Sequence, residues 1–155
     1  MKGNDKVIAL LNEFLADELT AISQYMVHSE MCDNWGYVKL HKSIEKRAID
    51  EMKHAEKLIG RILALEGAPV VSKLNKMSIG ADVKSQLEND AAAENGAIQA
   101  YNTGISVCME LNDNGTRRLI DENLQDEEAH IDWLETQLDQ IRQMGLQIYL
   151  QTQSE

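Results

Sequence analysis

The sequence predicts an all-α fold: an antiparallel four-helix bundle with a long crossover between helices two and three and a short C-terminal fifth helix. Three observations predict it. Four long stretches carry apolar side chains at helical spacing. Helix breakers are rare and fall between those stretches, with one proline and nine glycines in 155 residues. The chain also repeats itself weakly at a fixed offset, as two hairpins of one design would. At this length a single domain over 1–155 with a real hydrophobic core is expected. Aromatic residues make up only 5%, which argues against an all-β core.

The first helix is predicted over about 5–34, where Val7, Leu11, Phe14, Leu15, Leu19, Ile22 and Met26 form an apolar stripe. Asn4 or Asp5 suits the N-cap, and Asp33-Asn34-Trp35-Gly36 marks the stop. The second runs over about 38–65 and ends at Glu66-Gly67-Ala68-Pro69, with glycine just past the end and proline beyond it. Residues 67–81 lack periodicity. Extended, they reach roughly 50 Å, which exceeds the roughly 40 Å of the second helix, so a lengthwise crossover is allowed. The third helix covers about 82–111 and closes at Asn112-Asp113-Asn114-Gly115. The fourth covers about 116–143, and Gly145 separates it from the apolar tail Leu146-Gln147-Ile148-Tyr149-Leu150.

The repeat locates the chemistry. Segment 18–25 (ELTAISQY) aligns with 94–101 (ENGAIQAY), and Asp50-Glu51-x-x-His54 aligns with Asp126-Glu127-x-x-His130, always 76 residues apart. Glu18 and Glu51 are equidistant from the Asn34-Trp35 turn, and Glu94 and Glu127 from the start of the Leu111-Asn114 turn. In an antiparallel hairpin such residues lie level, here about 25 Å from the turn and so at mid-bundle. His54 and His130 each follow a glutamate by three positions, which puts both side chains on one helix face. Four carboxylates gathered in a core carry a large penalty. Two divalent cations balance four glutamates with both histidines neutral. Oxygen-rich ligation with one imidazole per metal suits iron or manganese. One glutamate from each of two helices plus Glu-x-x-His from the other two is the known plan of di-iron and di-manganese carboxylate bundles.

Neighbouring residues have two readings each. Asp50 and Asp126 are placed to accept the second imidazole N–H, or are solvated helix aspartates. Tyr25 and Tyr101, seven residues beyond Glu18 and Glu94, either hydrogen-bond ligand carboxylates or supply an electron, or else are core residues with satisfied hydroxyls. His28 and His41 lack partners at ligand spacing and read as ordinary.

The net charge of −11 argues against nucleic-acid or anionic-membrane partners. It suits a cation partner, or serves solubility alone. Cys32 and Cys108 show no metal-type spacing and no disulfide framework, which points to a reducing interior. The N-terminal stretch interrupts its apolar residues with Asn, Glu and Asp, unlike a signal peptide, and no run approaches membrane-spanning length. A cytoplasmic location is expected.

At these residues the chain resembles the bacterioferritins over nearly its full length. The opening MKG-x-x-KVI, IDEMKHAEKLI at 49–59, LEG-x-P at 65–69, EEAHIDWLETQLD at 127–139 and MGLQ-x-YLQ-x-Q at 144–153 carry the resemblance. It implies a ferritin-like bundle assembling into a hollow shell of twenty-four identical subunits built from twofold dimers. Such a shell oxidises Fe(II) with oxygen or peroxide and stores the ferric mineral, with a small redox protein as possible reductant. The implied catalytic and metal set is Glu18, Glu51, His54, Glu94, Glu127 and His130, holding two iron ions per subunit with Glu51 and Glu127 bridging, and Tyr25 beside them. Met52 matches the methionine that ligates a b-type or related haem between two subunits. It is rotated about 100° from Glu51 around the helix and can face a neighbour; the plainer reading is a gap-filling core methionine. Asn34, Glu66, Asp132 and Asp139 match positions lining an iron pore. Lys46 and Arg47 depart from the histidine and acidic residue that several members carry on the inner surface, and Glu45 from an aromatic residue near the haem. A non-storage di-iron or di-manganese oxidase or catalase shares the ligand set. Rubrerythrins would add a cysteine-rich iron site, and non-haem ferritins rarely keep the second histidine.

Overall fold

Asn4 opens the first helix in the computed structural model, which describes residues 1–154: its side chain accepts the Lys6 backbone N–H at 2.8 Å. Helix α1 then spans Asp5–Asn34, α2 Val38–Ala64, α3 Val83–Glu110, α4 Asn114–Met144 and α5 Leu146–Gln153. Asp82 and Ser85 form a reciprocal capping box at the start of α3. α4 begins at Asn114, ahead of the expected start, because Asp113 inside the turn supplies the cap to the Thr116 N–H. The left-handed residue closing α2 is Glu66, at φ 62°, and not the glycine after it. Gly67 is required for space instead, since a Cβ there would lie 2.7 Å from Ile8.

The Gly3 N–H donates to the Leu65 carbonyl, so α2 ends beside the start of α1 and the two form an antiparallel hairpin. α3 and α4 form the second hairpin, with α1 packed on α3 and α2 on α4. The crossover lies lengthwise along α1, fastened to polar side chains in ascending order. Asn12 bonds Ala68 and Val70, Thr20 Oγ1 accepts from Asn75 N, Gln24 Oε1 from Ser78 N, and His28 Nε2 from Gly80 N. These anchors recur at multiples of four, so the line of attachment drifts about 40° per four residues and the crossover winds around the helix as it climbs. The crossover thereby delivers the start of α3 to the far end of α1.

Two apolar clusters fill the bundle. One, toward the start of α1, includes Val7, Leu11, Phe14, Leu58, Ile62, Tyr101 and Ile120. The other includes Tyr25, Leu40, Ile44, Leu87, Leu134 and Ile141, and is closed by Tyr149 of α5, whose hydroxyl donates to Gln137 at 2.8 Å. Among the described residues no helix is long and apolar enough to cross a membrane.

Candidate metal centre

Between the two apolar clusters lies a layer of buried charge. Glu18, Glu51, His54, Glu94, Glu127 and His130, the six residues expected from spacing, all meet there, none more than 8% exposed. Their ligand-capable atoms form two overlapping groups. Glu18, Glu51, His54 and Glu127 make one, and Glu51, Glu94, Glu127 and His130 the other, each within 4.8 Å. Glu51 and Glu127 belong to both, as bridging carboxylates must.

Each imidazole turns Nδ1 inward. His54 Nδ1 lies 3.1 Å from Glu51 Oε2 and 3.1 Å from Glu127 Oε1; His130 Nδ1 lies 3.1 Å from Glu51 Oε1. The outward nitrogens meet aspartates of the opposite hairpin, His54 Nε2 with Asp126 at 2.8 Å and His130 Nε2 with Asp50 at 3.2 Å. The aspartates therefore orient the imidazoles, the more specific of their two readings. The tyrosines cross over as well: Tyr25 donates its hydroxyl proton to Glu94 at 2.7 Å and Tyr101 donates to Glu18. Each is also a core residue of one apolar cluster, so the hydrogen bond to a carboxylate and the core placement coexist.

The electrostatics are those of a site made for cations. Burial, then neighbouring Glu51, pushes the Glu18 carboxyl well above its ordinary range, and burial pushes Glu127 up to about 8. Burial acts the same way on Glu51, but hydrogen bonds with Glu18, His130 and His54 outweigh it and hold that carboxyl well below the ordinary range. Glu94 is likewise lowered, burial being outweighed by His130 and Glu127. Burial disfavours the imidazolium forms, yet the surrounding carboxylates raise His54 strongly and His130 to about 12. Two buried carboxylate oxygens lack a partner in hydrogen-bond geometry among the described residues: Glu94 Oε2, and Glu127 Oε1, which has only the imidazole nitrogens of His54 and His130 near it, at 3.1 and 3.5 Å. Orphaned acceptors amid like charge fit a metal ion, which supplies the missing partner. A cavity of about 270 Å³ between α1 and α3, lined in part by Asp17, Gln24, Tyr25 and Gly96, leads to Glu18 and Glu127.

Sequence reasoning missed four residues around this layer. Arg47, expected on a surface with Lys46, is buried: its Nη2 donates to Glu94 Oε1 at 2.9 Å, while Lys46 alone is exposed. His28, expected to be ordinary, is fully buried with Nδ1 2.8 Å from Asp90, and Gln24 Nε2 donates to the same Asp90 oxygen. The signal was available in part, because Asp90 precedes Glu94 by one helical turn and so shares its inward face. His41 lies away from the centre, against Ser29 and Glu45. Cys32 and Cys108 are buried free thiols.

Met52 is 44% exposed on α2, so it is not a core gap-filler. It lies with Ile22, Met26, Glu45 and Ile49 around an open groove between α1 and α2. Asn34, Glu66, Asp132 and Asp139 are all exposed; Asn34 and Glu66 stand at opposite ends of the bundle, so one chain does not bring the four together.

The ferritin-like domain family matches residues 8–144. The chain is similar to the bacterioferritin of Mycolicibacterium paratuberculosis, 42% identical over 149 residues that cover 96% of this chain and 94% of the relative. It is 43% identical to the bacterioferritin of Brucella melitensis over 96% of this chain and 92% of the relative. Against the bacterioferritin of Rhodobacter capsulatus the identity is 42%, over 95% and 91%.

Proposed function

The chain belongs to the bacterioferritin family, and from that premise we propose that it is an iron-storage ferroxidase, a single ferritin-like domain working in the cytoplasm. The observation that carries this reading is the overlap of two ligand groups on Glu51 and Glu127 within one buried layer. In this reading Fe(II) and oxygen or peroxide are the substrates, and each ferrous ion bound there supplies one electron. Glu18, Glu51, His54, Glu94, Glu127 and His130 would hold the ions, with Glu51 and Glu127 common to both ligand groups and the imidazoles offering Nδ1.

The chain's own residues prepare the site. Asp126 and Asp50 hold the outward imidazole nitrogens, which leaves Nδ1 free to coordinate. Tyr101 and Tyr25 fix the rotamers of Glu18 and Glu94 through one oxygen each, leaving the other oxygen for an ion. The cavity beside Glu18 is a route for ions from solvent, lined toward its mouth by both Asp17 and Lys76. Assembly into a twenty-four-subunit shell from twofold dimers, with a haem between paired subunits on Met52, belongs to the same proposal. Its support is the exposed apolar groove around Met52, an unusual place for a methionine unless a partner covers it.

The test is ferrous oxidation under air, followed by oxygen consumption and ferric absorbance. Wild type should oxidise added Fe(II) and retain the product in the assembled protein. Glu18→Ala removes one end ligand and should slow the initial phase at least about tenfold, as expected when a positioned ligand is lost. Equal rates in the two proteins would refute the ferroxidase reading.

A further inference from the structure

The 76-residue repeat aligns the surroundings of the metal centre as well as its ligands, and in the surroundings the two halves part. Tyr25 corresponds to Tyr101, but Arg47 corresponds to Asn123, Asp90 to Phe14 and His28 to Gly104. Beside Glu18 the environment is neutral. Asn123 Nδ2 donates to the Tyr101 hydroxyl at 3.3 Å, and Phe14 packs on the Tyr101 ring with centroids 4.7 Å apart. Gly104 makes room for Phe14, since a Cβ there would fall 2.5 Å from Phe14 Cζ. Beside Glu94 the environment is charged. Arg47 contacts Glu94 Oε1 at 2.9 Å, lies 4.4 Å over the Tyr25 ring, and places Nη1 3.8 Å from Asp90 Oδ2.

An arginine stays protonated in such a place. Glu18 Oε1 and Glu94 Oε1 each face their own imidazole Nδ1 at 3.6 Å and a tyrosine hydroxyl, and Glu94 Oε1 carries the fixed cation of Arg47 in addition, for which Glu18 Oε1 has no counterpart among these contacts. A divalent ion on Glu94 shares its carboxylate with Arg47 and is repelled by it. Asp90 offsets this in part, but it lies one turn before Glu94 on α3 and its Oδ1 is already taken by His28 and Gln24. Coulomb repulsion from the nearer charge prevails, and burial strengthens it.

We propose that Arg47 makes the two halves of the centre unequal, holding the Glu94–His130 half at least about tenfold weaker for a divalent cation than the Glu18–His54 half. Arg47 is then a positioning residue that fixes the order of loading. The Glu18–His54 half fills first, and it is also the half that the cavity between α1 and α3 reaches. The inference rests on reading the centre as a dinuclear metal site.

The test is an anaerobic Co(II) titration of the assembled protein, read by visible d–d absorption and calorimetry. Crystals soaked with one Co(II) per chain add anomalous scattering, which locates the first ion. Wild type should bind two ions per chain with dissociation constants at least about tenfold apart, and the first should lie on the His54 side. Arg47→Gln should bring the constants within about threefold of each other, and Arg47→Lys should keep them apart. Equal constants in wild type, first occupancy on the His130 side, or an unchanged gap in Arg47→Gln would each overturn the proposal. If Arg47→Gln does not fold, the wild-type filling order decides alone. Failure of wild type to bind any Co(II) would overturn the metal-site reading as well, an outcome distinct from two ions bound without preference.

Discussion

Both nitrogens of each central imidazole are engaged, and this fixes how the centre responds to pH. With no cation present, Glu127 sits at about 8 and His130 at about 12, so both hold protons at neutral pH. Burial is the main cause at Glu127; at His130 the facing carboxylates overcome it. An ion that binds both groups must displace both protons, so a fall in pH below 8 opposes binding and a rise favours it. Apparent Co(II) affinity should therefore increase about ten- to a hundredfold from pH 6.5 to 7.5. Calorimetry in two buffers of different protonation enthalpy counts the protons released. Zero net release would contradict the protonated, cation-free centre described above.

At the scale of elements, the crossover is held by side chains of α1 and not by periodicity of its own, which explains what the sequence conceals. Helix bounds, the hairpin register and the meeting of the six residues in one layer followed from spacing, because helical geometry converts sequence distance into height. The roles of Arg47 and His28 did not, because each depends on what a different element places beside it. His28 bonds Asp90 of α3 through Nδ1 and accepts the Gly80 N–H through Nε2, so it joins three elements at once. Nothing in its own spacing announces that. His28→Ala should remove both bonds, leave the buried Gly80 N–H unpaired, and destabilise the fold by about 3 kcal/mol. Urea unfolding followed by circular dichroism measures it, and a change below about 1 kcal/mol would show the crossover to be held elsewhere.

At the scale of the whole molecule, the exposed groove around Met52 looks outward while the polar layer is sealed within, so the two can be tested apart. Met52→Leu keeps the volume of the side chain and removes the sulfur. It should abolish haem absorbance with the assembly unchanged by size-exclusion chromatography, and haem kept at full occupancy would reject Met52 as its ligand. Arg47 is half legible at this scale: the repeat pairs it with Asn123, but only the fold reveals that it turns inward.

The polar layer between the two apolar clusters carries one more consequence. Above and below it the hairpins are joined by oily contacts, and at mid-height by imidazole–carboxylate and tyrosine–carboxylate contacts. Because all four helices contribute residues to the layer, an ion captured there under the proposed function would act as a clasp between the halves, and closing the bundle would become part of the same equilibrium as taking up metal. On that reading, how tightly the subunit is shut follows the metal supply around it.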